Sequence, residues 1–148
     1  MKLPVTRYYG SKRRVVDKIW HALRNAHIKF NSFLDLFGGT GIVSYYMLAK
    51  GKQVCYNDLF AFNCENAKAL LASPKNTLNE SEALELLKRV PGVDYDNVIE
   101  RNYHGIYYLD QENRLIDTIV QNIARLPKEK QASAYYLLNQ TCLIKRPF

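Results

Sequence analysis

Cysteine is sparse in this sequence, and its spacing argues against a metal centre. The three cysteines, Cys55, Cys64 and Cys142, form no Cys-x-x-Cys pair, and no histidine stands near Cys55 or Cys64. A zinc site is therefore not expected, and the thiols read as free groups of a reducing cytoplasm. Long apolar runs are missing too. No stretch approaches membrane-spanning length. Met1 to Lys12 is polar and basic, without the apolar centre of a signal peptide. The expectation is a cytoplasmic protein with no membrane contact. Proline occurs five times and always alone, at Pro4, Pro74, Pro91, Pro127 and Pro147. There is no internal repeat and no low-complexity linker. Acidic residues are the minority, 14 against 21 basic, so the net charge of +7 favours a polyanionic partner such as nucleic acid. Against these shortages stands a hydrophobic content of 47% over 148 residues, enough to pack a core and to argue against disorder.

The most informative stretch is Phe33-Leu34-Asp35-Leu36-Phe37-Gly38-Gly39-Thr40-Gly41-Ile42-Val43. An apolar run ends in an acid, passes through a glycine-rich turn and resumes as a new apolar pattern. A parallel strand covered by helices on both faces reads as such a run. Glycine lets the backbone turn sharply and lets a ligand lie against it. The next helix directs its positive end at that place. A second apolar stretch, Gln53 to Tyr56, leads to Asp58, where an acid suits ribose hydroxyls. The spaced third glycine of a dinucleotide fingerprint is missing. No Gly-Lys-Ser/Thr closes the turn, so it is not a P-loop. Two readings remain: a nucleotide-type ligand, of which S-adenosylmethionine is the common one left, or a plain tight strand–helix connection.

In chain order, residues 1–10 read as extended. Ser11 is placed to cap a helix to about Ala26, with Val15, Val16, Ile19, Trp20 and Leu23 as its apolar stripe. Lys12, Arg13, Arg14 and Lys18 decorate its start, where positive charge opposes the helix dipole. They read either as an anion contact or as a solvated basic face. The first strand follows, then a helix over 41–50 ended by Gly51, a strand over 53–57 and a helix from Phe60 to about Ala72. Beyond Ser73-Pro74 the pattern turns helical. Helices are expected over 79–90, 112–126 and 128–143, broken by Pro91-Gly92 and Pro127. Between the first two lies a tyrosine-rich segment, 93–111, with His104 inside it. It suits either stacking on bases or packing on the core.

Several of these residues together resemble the N-terminal part of a DNA adenine-N6 methyltransferase of the Dam-like class. Arg7-Tyr8-Tyr9-Gly10-Ser11-Lys12 is similar to the family's opening cofactor motif. Phe33 to Gly39 with Val43 resembles its glycine-rich motif, and Asn57-Asp58-Leu59 its ribose-binding acid. Tyr107 to Phe148 resembles its helical insert, through Glu112-Asn113, Ile116-Asp117 and Lys145-Arg146-Pro147-Phe148. One departure stands out. The family's Asp/Asn-Pro-Pro-Tyr/Phe signature, which orients the adenine amine, has no counterpart among these isolated prolines.

The resemblance implies an α/β, partial Rossmann-like fold, with a cofactor-binding part over 1–74 and a helical insert or partial target-recognition region over 75–148. It implies S-adenosylmethionine as cofactor, held by Tyr8, Gly10, Lys12, Asp35, Phe37, Gly38, Gly39, Gly41, Asp58 and Leu59. It implies methyl transfer to a flipped adenine, as in restriction–modification. DNA phosphate contacts fall to Arg7, Arg13, Arg14 and Lys18. No catalytic residue proper is expected here, and two strands alone leave the sheet incomplete. The chain is then expected to be inactive alone and to associate with itself or with a complementing chain. The competing expectations are a non-catalytic remnant or partner subunit, and a different S-adenosylmethionine-dependent enzyme acting on RNA.

Overall fold

The computed structural model describes residues 10–71 and 77–145, which fall into two compact units, one within 1–72 and one within 73–148. The first unit is a minimal α/β arrangement. A 3-10 turn (Lys12–Arg14) leads into α1 (Val16–Asn25), then β1 (Ser32–Asp35), α2 (Ile42–Ala49), β2 (Gln53–Tyr56) and α3 (Ala61–Leu71). The strands pair in parallel, Ser32 with Gln53 through Asp35 with Tyr56. The crossover between them is α2, as parallel neighbours require.

The core of this unit is Val16, Ile42, Val43, Tyr46 and Met47, with Trp20, Phe33 and Val54 packed on it. The Tyr46 hydroxyl crosses this cluster to donate to Asp17 Oδ1 at 2.7 Å, tying α2 to α1. Two expectations need correction. The helix from Ser11 does not form as one piece. Ser11 makes no capping bond, Val15 sits at φ −120°, and α1 begins only where Asp17 falls in the first turn. That acid complements the dipole, which Lys12, Arg13 and Arg14 oppose. The first strand is also not covered on both faces. Phe33 turns to the core, while Leu34 and Leu36 are 55% and 54% exposed. The period-2 alternation of a strand puts Leu34 on the opposite side, and Leu36 lies in the turn just past the strand.

The second unit is helical: α4 (Glu80–Glu85), α5 (Val98–Tyr103), α6 (Asp110–Ile123) and α7 (Lys128–Lys145). Leu86, Ile123 and Ala134 form its core, with Ile119, Leu126 and Leu138 against them. Unusually, α6 buries polar residues: Asn113, Asp117, Thr118 and Asn122. These groups explain two differences from the sequence reading. The helix expected over 79–90 stops early because Asn122 Nδ2 donates to the Leu86 and Lys88 carbonyls, at 2.9 and 2.8 Å. A short helix, α5, arises within the tyrosine-rich segment because Asp117 accepts from the Ile99 and Glu100 amides at its first turn. Tyr95 in that segment is buried and donates to Asn122 Oδ1 at 2.6 Å. Tyr103 and Tyr107 are exposed. Tyr108 is half-buried and donates to the Cys142 carbonyl at 2.9 Å, so two tyrosines of the segment pack and two face solvent.

Candidate functional site

At the carboxyl ends of β1 and β2 the chain from 36 to 41 is bolted to the chain from 56 to 58. Asn57 receives the Gly38 amide on its carbonyl at 3.0 Å, and its Nδ2 donates to the Leu36 carbonyl at 2.8 Å. The Tyr56 hydroxyl donates to the Gly39 carbonyl at 2.6 Å. The Gly39 amide donates to Asp58 Oδ2 at 2.8 Å. Gly39 and Gly41 have φ of +52° and +69°, the left-handed region that side chains disfavour. Gly38 is required for another reason. Its φ is not positive, but a Cβ there would lie 2.1 Å from the Tyr56 ring.

Asp58 is the hub. Its Oδ1 accepts from the Phe60 amide and from Asn63 Nδ2, both at 3.0 Å, while Oδ2 holds Gly39. The Phe60 bond is the two-residue Asx turn that leads the chain into α3. The bond from Asn63, then the Phe60 and Gly39 amides, hold the Asp58 carboxyl below its ordinary value. It stays ionised at neutral pH, and the latch weakens only as pH falls below the usual carboxylate range. A carboxylate offers about four lone-pair sites, so Oδ2 keeps capacity for a further donor. Asp35, at the end of β1, accepts from the Ser44 hydroxyl at 2.7 Å, and Ser44 is fully buried. Phe37 and Leu59 flank this assembly at 80% and 88% exposure, and Phe60 stacks on Phe62 beside them.

The structure thus joins Asp35, Gly38, Gly39, Gly41 and Asp58 in one hydrogen-bonded turn, with Phe37 and Leu59 at its rim. Gly10 is exposed at φ +81°, and Lys12 lies in the 3-10 turn, which packs on α2. Arg13, Arg14 and Lys18 are exposed on the same turn and α1. Tyr8 and Arg7 lie outside the described residues. Tyr56, Ser44 and Asn63 are parts of the turn that sequence reasoning did not assign to it. An Asp two residues before the expected helix start was the one available signal, through its Asx turn. Among the described residues no group of histidine, cysteine and acid side chains could hold a metal, and no helix is long and apolar enough to cross a membrane.

Two comparisons bear on this arrangement. Residues 8–145 match the model of the family described as D12 class N6 adenine-specific DNA methyltransferase. The chain belongs to the D12 class of N6 adenine-specific DNA methyltransferases. It is also 26% identical over 148 residues to the Type II methyltransferase M2.HphI of Haemophilus parahaemolyticus. That match covers 99% of this chain and 42% of the relative's length. No solved structure gives a significant match. Membership in this D12 family accords with the mixed helical and small parallel-sheet architecture.

The Gly38–Tyr56 contact gives a direct test of the turn. Gly38→Ala is expected to cost about 1–3 kcal/mol, the usual range for overpacking. Adding Tyr56→Ala removes the ring the new methyl meets, so the double variant should lose less than the sum of the singles. Thermal or urea unfolding reads this. Strict additivity would show that Gly38 and Tyr56 are not coupled.

Proposed function

We propose that residues 1–74 are the cofactor-binding part of a DNA adenine-N6 methyltransferase, and that residues 75–148 are a helical insert contributing to target recognition. In this reading the chain has a partial Rossmann-like fold and binds S-adenosylmethionine and DNA. The single observation that carries it is the latch from the Gly39 amide to Asp58, with exposed Phe37 and Leu59 on either side. A turn fixed so firmly, yet rimmed by solvent-facing apolar side chains, fits an adenosine-bearing ligand. Asp58 would offer its remaining Oδ2 capacity to a ribose hydroxyl, and Leu59 would pack on the adenine. Gly38, Gly39 and Gly41 would let the ligand approach the backbone. Tyr8, Gly10 and Lys12 would close the site from the opening segment, and Asp35 would lie towards the methionine ammonium. The cofactor supplies a methyl group on a sulfonium, and the protein supplies position. Equilibrium dialysis with labelled S-adenosylmethionine tests this. Saturable retention supports the reading, and none at millimolar cofactor overturns it.

The distribution of charge supports DNA as partner. Residues 1–72 carry eleven basic and four acidic side chains, and residues 73–148 carry ten of each, so the whole net charge sits in the first part. Arg7, Arg13, Arg14 and Lys18 are the proposed phosphate contacts. Binding to duplex DNA should weaken steeply with salt, with each contact adding about 0.9 to the log–log slope. Arg13→Ala with Arg14→Ala should lower that slope by about 1.8. An unchanged slope would remove these residues from the interface.

A second reading, that the chain acts as a partner subunit, is favoured by one observation. The outer face of β1 exposes Leu34, Leu36 is exposed just past its end, and β1 pairs with no strand but β2 among the described residues. Exposed apolar surface and an open strand edge invite another chain. Light scattering over a concentration series should show a mass rising above that of one chain. A single-chain mass throughout would contradict it.

A further inference from the structure

The glycine turn uses the carboxyl ends of the strands, but the same unit carries a second concave surface at their amino ends. A groove of about 280 Å³ opens between the end of α1, the segment entering β1 and the residue before β2. Its cationic lining is Arg24, Lys29 and Lys52, its aromatic lining is Trp20 and Phe30, and no carboxylate lines it. We propose that this groove is a second nucleic-acid contact that takes one unpaired nucleotide of a DNA strand, with the phosphate on Arg24, Lys29 and Lys52 and the base against Trp20. The proposal rests on the DNA reading above and adds to it a surface away from the cofactor turn.

The groove is built rather than incidental. Lys52 Nζ donates to the Phe30 carbonyl at 2.5 Å and stands 4.8 Å from the Phe30 ring centre, so its charge is held at the wall. Trp20 meets Phe30 edge-on at 6.3 Å and 77°, and Lys50 Nζ lies 5.7 Å from the Trp20 ring. The indole is thus fixed in a positive field. Arg24 and Lys29 are exposed and form no ion pair among the described residues. Cations that track a backbone beside an aromatic platform are the elements of single-strand binding, where stacking tolerates any base. The groove is slightly below the roughly 300–1,000 Å³ of ordinary small-molecule clefts. That size fits one nucleotide unit of a longer strand rather than an enclosed ligand.

Trp20 is the only tryptophan of the chain, so its emission reports on this groove. The full chain is titrated with a single-stranded deoxythymidine oligonucleotide, which contains no adenine for the reactive site. Saturable quenching of Trp20 is expected. In Arg24→Gln with Lys29→Gln the quenching should need more oligonucleotide, and the log–log salt slope should fall by about 1.4, at 0.7 per single-strand phosphate. S-adenosylmethionine binding of that variant should be unchanged, which also shows that it is folded. Quenching unaffected by the two substitutions overturns the proposal, as does equal quenching by polyglutamate, which would assign the groove to acidic peptides. If labelled oligonucleotide binds through Arg13 and Arg14 without altering Trp20 emission, the groove proposal falls and the DNA reading stands. If no oligonucleotide binds by either readout, the groove proposal falls, and the duplex salt titration decides the DNA reading separately.

Discussion

Asp58→Ala is expected to remove most of the affinity of the chain for S-adenosylmethionine. The carboxylate has two duties in the proposed site. It would accept a ribose hydroxyl, and it holds the Gly39 amide in place while Asn63 and the Phe60 amide hold it. Hydrogen bonds to a charged group contribute about 1.5–3 kcal/mol, so the loss should be roughly tenfold to a hundredfold in Kd. Tyr56→Phe separates the two duties. It deletes the hydroxyl that holds the Gly39 carbonyl and leaves the carboxylate untouched, so a smaller loss is expected, about 1 kcal/mol. The pH dependence has a definite sign. The folded-state pKa of Asp58 is depressed, so its contribution is fully present above the ordinary carboxylate value and is lost as pH falls through the lower, folded value. Affinity for the cofactor should therefore be flat from pH 8 to about pH 5 as far as this group is concerned. Calorimetry on the three proteins measures all of this. Equal affinity in Asp58→Ala would move the ribose contact elsewhere.

Methyl transfer to adenine-containing DNA is expected to be absent from the purified 148-residue chain. Every proline in it is isolated, so the Asp/Asn-Pro-Pro-Tyr/Phe segment that the family resemblance assigns to orienting the amine has no counterpart. Positioning of reacting groups is worth about 7–11 kcal/mol in favourable cases, and losing it puts turnover below detection. The chain aligns with 42% of the length of M2.HphI. Incorporation of labelled methyl groups into DNA, above a control without protein, would show that the chain supplies its own orienting groups.

The α/β half was legible because its signals are local. Glycines at a strand–helix junction and an acid after the next strand are short-range patterns, and both strands stand where the apolar runs place them. What binds the turn together was not legible. Tyr56 looked like one more apolar strand residue, yet its ring fills the space that Gly38 leaves and its hydroxyl reaches the Gly39 carbonyl. That contact depends on register between two strands, which sequence spacing does not give. The exposed side of β1 escapes the sequence pattern for a similar reason. Leu34 and Leu36 are as apolar as Phe33, and only the helices present decide which face is covered. In the helical part, the apolar spacing of α6 says nothing of Asn113, Asp117 and Asn122, yet all three are buried, and Asp117 and Asn122 organise residues 86–100. A polar residue that satisfies distant backbone groups carries no periodic mark.

Hydrogen exchange on the intact chain, with and without saturating S-adenosylmethionine, tests the central claim most directly, because it locates the ligand as well as detecting it. The account predicts slower exchange in peptides covering residues 36–44 and 56–64, the Gly39 amide included, and little change over 77–145. Slower exchange confined to the helical part, or no change at the glycine turn at saturating cofactor, would contradict it.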